Sequence, residues 1–373
     1  MKYYIIAGEA SGDLHGSNLI RSIKREDSDA SVRCWGGDLM EAAGAEVVKH
    51  YRVLAFMGFW EVFKNLPEIL GNLRRARRDI KAWKPDAVIL IDFPGFNLRI
   101  AKWATRQGLR VFYYISPQIW AWHTSRVHRM KKYIERLYVI LPFESQFFQR
   151  FDYEVDYVGH PLLDVTEQVY VPDDWRVSQG LDNRPIVALL PGSRKQEIEA
   201  MLPLMASVSS EFPGSQFVIA GAPSIDEDLY ERILSSTSST GQDISVVSGV
   251  TYQLIKASVA ALVTSGTATL ETALLGTPQV VCYKSSALSY WLAKRLVRVD
   301  YISLVNLIVE EPVVKELIQG ELSRESLTDA LGEIISEEGR KRMLKGYALM
   351  RQKIGQPGAS ARAGRLMVRR LIG

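Results

Sequence analysis

Short apolar runs separated by segments of helical spacing set the pattern of this chain. Tyr3–Ala7, Ala87–Ile91, Arg110–Ile115 and Leu137–Leu141 lie in the first half; Ile186–Leu190, Gln216–Ala220, Ser245–Val247, Ala260–Thr264 and Gln279–Tyr283 lie in the second. Runs of this length read as strands, and the segments between them repeat apolar positions at helical spacing. The rhythm is therefore β-α-β, which builds parallel sheets covered by helices on both faces. It pauses between Val165 and Pro185, where Val-Tyr-Val-Pro-Asp-Asp and Asp-Asn-Arg-Pro mark extended or turn-rich chain. The pattern predicts an α/β protein of two doubly wound domains facing a cleft, into which the C-terminal strand ends open. The expected segments are 1–170, 171–340 and a C-terminal helical stretch 341–373.

The chain has 373 residues, 47% of them hydrophobic, which suits two cores. Cys34 and Cys282 are the only cysteines, so a disulfide framework and a cysteine-based zinc site are excluded, and a reducing, cytoplasmic setting is expected. Met1–Ala7 is too short for the apolar region of a signal peptide and reads as the first strand. No apolar run approaches the ~20 residues that span a bilayer, so any membrane contact is expected to be peripheral. Residues 1–160 carry 24 lysines and arginines against 18 acids, and the remainder 22 against 24. The excess gathers in Arg74, Arg75, Arg77, Arg78, Lys81 and Lys84 and in Arg126, Arg129, Lys131, Lys132 and Arg136. Such clusters suit a phosphate-bearing partner or an anionic surface, and a solvated helix face is the alternative.

Chemistry-bearing residues follow the strands. Val263-Thr-Ser-Gly-Thr-Ala-Thr-Leu-Glu271 reads as a buried strand, a small-residue loop and a helix. Ser265, Gly266 and Thr267 would let a diphosphate reach the first N–H groups of that helix, and Glu271, one turn in, would accept from ribose hydroxyls. An ordinary capped helix start is the alternative. Leu190-Pro-Gly192-Ser193-Arg194 offers a second loop in the same domain, with Arg194 suited to a phosphate oxygen. Gly8-Glu9-Ala-Ser11-Gly12-Asp13 follows the first strand but lacks the G-x-G-x-x-G spacing of a dinucleotide fingerprint. Capping explains its glycines and Asp13 and leaves Glu9 as a strand-end carboxylate; Ser11, Gly12 and Asp13 are grouped with the substrate-binding candidates. Asp92, before Phe-Pro-Gly-Phe-Asn97, is a candidate general base toward a sugar hydroxyl, with Glu9 as its competitor and capping as its alternative role. Asn97 is expected to cap the next helix and to join the substrate-binding groups. Ser116-Pro-Gln118-Ile-Trp120-Ala-Trp122 is a polar turn whose tryptophans either stack on substrate or pack in the core. His123, His128 and His160 have no metal-ligand spacing, so no metal or cofactor is expected.

Together, Gly8–Asp13, Ile91–Asn97, Ser116–Trp122, Leu190–Arg194, Thr264–Glu271 and Asp300–Asn306 resemble the lipid-A-disaccharide synthase family, in order over nearly the whole chain. The resemblance implies a GT-B fold with C-terminal helices crossing back to an N-terminal domain. It implies an inverting transfer of diacylglucosamine from UDP-2,3-diacylglucosamine to the 6-hydroxyl of 2,3-diacylglucosamine 1-phosphate, releasing UDP. It implies Asp92 as the catalytic carboxylate, Arg194 and Ser265–Glu271 around UDP, and Asn306 near the nucleotide. Gly95 stands where some relatives carry an acid, which leaves Glu9 as the remaining partner carboxylate. The resemblance also implies a homodimer with exchanged C-terminal segments and peripheral contact with an anionic inner-membrane surface; no nucleic acid partner is implied. Three readings compete. An undecaprenyl-linked N-acetylglucosaminyltransferase and a UDP-N-acetylglucosamine 2-epimerase would share the fold, and the third is a non-catalytic nucleotide-binding module.

Acylated substrates give a role to Leu54-Ala-Phe-Met-Gly-Phe-Trp60, followed at helical spacing by Val62, Phe63, Leu66, Ile69, Leu70 and Leu73 and then by the arginines 74–78. An apolar face ending in cations suits an interfacial helix, and packing on the first sheet is the alternative. Trp291–Arg298 is a second basic strip for the same surface.

Overall fold

The computed structural model describes residues 1–53, 66–122, 124–223, 225–236, 244–285 and 300–373. It divides into two compact units: Met1–Asp164 with Gln356–Gly373, and Val165–Gly355. The first cut falls six residues before the expected 170. The stretch 341–373 is itself divided, because Glu337–Ile354 stays with the second unit and Ala359–Ile372 with the first.

The first unit is a seven-stranded parallel sheet in the order β3-β2-β1-β4-β5-β6-β7. Its strands are β1 Lys2–Ala7, β2 Ser31–Gly36, β3 Glu46–His50, β4 Ala87–Ile91, β5 Arg110–Tyr114, β6 Arg136–Val139 and β7 Asp156–Tyr157. Tyr3–Ala7 and Ala87–Ile91 have no exposed surface, as expected of central strands covered on both faces. β1 and β4 are neighbours in register, with Ala7 opposite Ile91, although β2 and β3 intervene in sequence. The chain order therefore reverses direction at β1 and β4, the switch point at which doubly wound sheets bind ligands.

The second unit repeats the arrangement with six strands in the order β10-β9-β8-β11-β12-β13. They are β8 Ile186–Leu190, β9 Gln216–Gly221, β10 Ser245–Ser248, β11 Ala260–Thr264, β12 Gln279–Tyr283 and β13 Lys315–Ile318. Here β8 and β11 form the switch point, with Leu190 opposite Val263.

Strands β2, β3, β7 and β13 had no apolar run to announce them. Each lies at or next to a sheet edge and carries charge: Arg33 in β2, for example, ion-pairs with Glu46 of β3 and with Asp79. A strand partly open to water needs no continuous apolar sequence.

The last helix, Ala359–Ile372, returns to the first unit and packs against Ala10–Glu26. A Cβ on Gly364 would lie 2.3 Å from the Ser22 hydroxyl oxygen, so glycine is what permits this approach. Ser22 Oγ donates to the Ala361 carbonyl at 3.2 Å, and Asp164 accepts from the N–H groups of Gly358 and Ser360 at the helix start. Glu337–Ile354 is held on the second unit, where the Tyr347 hydroxyl donates to the Thr277 carbonyl at 3.1 Å.

No helix among the described residues is long and apolar enough to cross a membrane. Leu54–Phe63 and Trp291–Arg298 lie outside the described residues. The helix Leu66–Trp83 buries Ile69 and Leu73 in the core of the first unit and leaves Leu70 exposed.

Candidate active site

At the β1/β4 switch point two carboxylates leave adjacent strand ends. Glu9 is exposed at the start of Ala10–Glu26, and Asp92 is half-buried after β4. Burial, followed by the negative charge of Glu9, pushes the Asp92 carboxyl up to about 6, against the backbone N–H of Phe93, which favours the charged form. A carboxylate so tuned is mostly ionised at neutral pH and is a stronger base than an ordinary aspartate.

The turn carrying Asp92 is strained. Asp92 and Phe93 both take left-handed backbone, φ +42 and +49, at a cost of about 1–2 kcal/mol each for residues with a side chain. Three contacts hold them there. The Tyr113 hydroxyl and the Asn97 amide donate to the Asp92 carbonyl at 2.5 and 2.8 Å. The Phe93 ring covers Gly8, where a Cβ would fall 2.5 Å from it. Asn97 thus does not cap its helix, Pro94–Arg106; it is fully buried and donates as well to the Ile91 and Ile6 carbonyls, tying β1 to β4. Asp13 is likewise engaged with the main chain. It accepts from the N–H groups of Gly37, Leu39 and Met40 at 2.7, 3.1 and 3.1 Å, fixing the turn after β2. Ser11 is exposed in the first helical turn, and Gly12 is buried where a Cβ would sit 3.0 Å from that of Ala7.

The β5 loop runs beside this turn. Ser116 is buried, Gln118 is exposed, and Trp120 stands edge-on to Phe143 with centroids 4.9 Å apart. Trp122 ends the short helix Ile119–Trp122; its side chain and His123 lie outside the description. Beneath the loop sits Glu144. Burial pushes its carboxyl up to about 7, opposed by the N–H groups of Leu141 and Ile140 and by the polar groups of Trp120 and Ser116. Its role was not visible in the sequence, because nothing local links it to residue 116.

In the second unit, the loops after β8 and β11 emerge side by side. Gly192 has φ +124, a conformation that favours glycine. Glu197 closes the loop by accepting from the N–H groups of Ser193 and Arg194 at 3.2 and 3.3 Å, and its other oxygen receives the Arg194 guanidinium at 3.2 Å. The Arg194 side chain remains 69% exposed, so it can turn to an incoming anion. After β11, Gly266 and Thr267 are exposed at the start of Thr267–Leu274, and a Cβ at Gly266 would meet nothing within 4 Å. Glu271, its pKa raised by burial, accepts from the Tyr252 hydroxyl at 2.9 Å.

Asn306 is buried and engaged on all sides. Its amide donates to the Val314 carbonyl and to Glu316, and its oxygen accepts from the Val314 N–H, each at 2.9 Å. Glu316 also accepts from the N–H groups of Ile302 and Ser303, while Ser265 Oγ donates to the Ile302 carbonyl at 3.4 Å. Asn306 and Glu316 therefore brace the 300–306 segment against the Ser265 loop. Among the described residues no group of three acids, histidines or cysteines is arranged to hold a metal ion.

Two doubly wound units, each with polar loops at its switch point, define a GT-B type of architecture. The S. aureus protein MnaA, solved with UDP, superposes with a TM-score of 0.71 at 12% identity, over 100% of this chain and 97% of that one. The calicheamicin glycosyltransferase CalG4 superposes with a TM-score of 0.57 at 16% identity, over 100% and 98%. These likenesses show the fold. The family model for lipid-A-disaccharide synthetase matches residues 3–367. The lipid-A-disaccharide synthase of Syntrophus aciditrophicus is 39% identical over 365 residues, covering 96% of this chain and 95% of its own. The chain belongs to the lipid-A-disaccharide synthase family and is a glycosyltransferase of lipid A biosynthesis.

Proposed function

We propose that the protein transfers 2,3-diacylglucosamine from UDP-2,3-diacylglucosamine to the 6-hydroxyl of 2,3-diacylglucosamine 1-phosphate, with inversion at the anomeric carbon. The observation that carries this reading is Asp92: a strand-end carboxylate raised to about 6, on a turn held by three contacts, beside Glu9 at the switch point of the first unit. Asp92 takes the proton of the acceptor hydroxyl as that oxygen bonds to the anomeric carbon. The bond from that carbon to the diphosphate breaks, and its electron pair leaves with UDP. Arg194 and the helix start at Ser265–Thr267 meet the developing charge with preorganised donors, and Glu271 accepts from the ribose. Glu9 helps by keeping Asp92 basic.

The acylated substrates lead us to propose, further, a peripheral contact with an anionic membrane, which sedimentation with anionic liposomes tests. Segment exchange between two copies is open to the same polypeptide, because Gly355–Gly358 links a helix of the second unit to one of the first; sedimentation equilibrium reads the stoichiometry.

The direct test is incubation with both diacylated substrates and mass spectrometry of the product. The disaccharide 1-phosphate with equimolar UDP is expected. Appearance of the 2-epimer of the donor sugar, with no disaccharide, would replace the reading with an epimerase.

A further inference from the structure

The cations that follow the Ser116–Trp122 loop divide into engaged and unengaged groups. Arg136 forks onto Asp156 at 2.5 and 2.7 Å and reaches Glu154 at 2.9 Å. The Lys131 ammonium donates to the Phe151 carbonyl at 3.1 Å. Arg126 differs: half-buried at the start of the helix Arg126–Tyr133, it has no hydrogen bond or ion pair with any described residue. Arg129 stands one turn along the same helix, on the same face. Arg99 lies on Pro94–Arg106, which packs against that helix, and among the described residues its guanidinium donates only to its own helix, at the Gly95 carbonyl. Burial and then the charge of Arg129 depress the Arg126 pKa, with Tyr113 opposing the shift and the charge of Arg99 adding to it; among the described residues no carboxylate offsets them. Arginine does not escape such crowding by losing its proton. Arg99 and Arg129 are themselves exposed, and like charges gathered around a half-buried arginine are a cost in the unliganded protein that a bound anion removes.

The place is also adjacent to the proposed base. The Tyr113 hydroxyl, which donates to the Asp92 carbonyl, is within electrostatic reach of both Asp92 and Arg126. We infer that Arg126, flanked by Arg99 and Arg129, is the subsite for a phosphate monoester on the acceptor. This rests on the reading of Asp92 as the base toward the acceptor hydroxyl. In a hexose 1-phosphate the 6-hydroxyl and the phosphate lie at opposite ends of one ring, so a phosphate subsite belongs one sugar width from the base.

The test compares transfer to the acceptor bearing its 1-phosphate with transfer to the same acceptor bearing a free 1-hydroxyl. Wild type, Arg126→Ala and Arg126→Lys are measured, with UDP binding as the check on folding. Wild type is expected to prefer the phosphorylated acceptor by roughly 10- to 100-fold in kcat/KM, the range for hydrogen bonds to a charged group. Arg126→Ala loses the preference, chiefly through the acceptor KM, and Arg126→Lys keeps part of it. Wild-type preference retained in Arg126→Ala, or no preference in wild type, overturns the subsite and leaves the transferase reading intact. Weaker sedimentation of Arg126→Ala with anionic vesicles, at unchanged acceptor preference, also overturns it and assigns Arg126 to a membrane surface. Calorimetry with glucosamine 1-phosphate supplies a readout independent of transfer. Arg126-dependent binding by a protein that transfers to neither acceptor would sustain the subsite while the functional reading fails.

Discussion

The Tyr113 hydroxyl donates to the main-chain carbonyl of Asp92 at 2.5 Å, from the strand next to the one that Asp92 terminates. It fixes the left-handed turn that aims the carboxylate, and it makes no bond to the carboxylate itself. Tyr113→Phe removes that one bond and little volume. Turnover is expected to fall roughly 3- to 10-fold, matching about 0.5–1.5 kcal/mol for one hydrogen bond, with UDP affinity unchanged in a calorimetric titration. Full activity in Tyr113→Phe would show that Asn97 and the Phe93 ring on Gly8 suffice to hold the turn.

The raised Asp92 carboxyl sets a pH dependence. A base works only when ionised, so kcat/KM is expected to rise with pH through about 6 and level off above it. Glu9 contributes to that elevation through its negative charge. In Glu9→Gln the midpoint therefore moves toward lower pH, because the like charge that favoured the protonated form is gone. A Glu9→Gln enzyme without activity at any pH would make Glu9 the base instead.

Much of the sheet framework was legible because central strands such as β1 and β4 are buried on both faces and so must be apolar throughout. The edge strands β3, β7 and β13, and β2 beside an edge, were not, since water covers part of each and leaves charges such as Arg33 and Lys315 admissible. Glu9 and Asp92 were legible as carboxylates at strand ends. The supporting groups were hidden: Tyr113 reaches the Asp92 turn and Glu144 the Ser116–Trp122 loop only in the folded sheet, while Glu197 and Glu316 brace the loops of the second unit. Asn97, Asp13 and Asn306 sit in conspicuous motifs, yet the Asn97 amide nitrogen, the Asp13 carboxylate and the Asn306 amide are directed to main-chain groups or to Glu316. Spacing along a chain does not tell a ligand contact from a brace.

In the second unit, Arg194→Ala and Glu271→Ala are each expected to weaken UDP binding, the first through the diphosphate and the second through the ribose. Because the leaving charge is routed to Arg194 and the helix start, EDTA is expected to leave transfer intact. Wild-type UDP affinity in both variants, read by calorimetry, would remove the cradle from the mechanism. Strict dependence on a divalent ion would revise the treatment of the leaving group.

His15 and His160 add an acid sensitivity to the first unit. Burial holds them down, to about 4 and about 3, with the charge of Asp164 opposing it at His15 and that of His15 adding to it at His160. Folded-state values below the ordinary 6.5 mean that the unfolded chain binds more protons between that value and the depressed ones. Their contribution to stability is complete above pH 6.5 and is lost as pH falls through this window, at up to about 1.4 kcal/mol per pH unit for each histidine. Thermal melts at pH 7 and pH 5 are expected to separate by less in His15→Gln than in wild type. An equal separation would place the acid-sensitive groups elsewhere.

The most direct test of the account is a paired measurement on Asp92→Asn: disaccharide formation by mass spectrometry and UDP affinity by calorimetry. The substitution keeps the shape of the side chain and removes its basicity. Transfer is expected to fall ~10²–10⁴-fold, the range for loss of a general base, with UDP affinity at the wild-type value. Near-full transfer by Asp92→Asn would contradict the account.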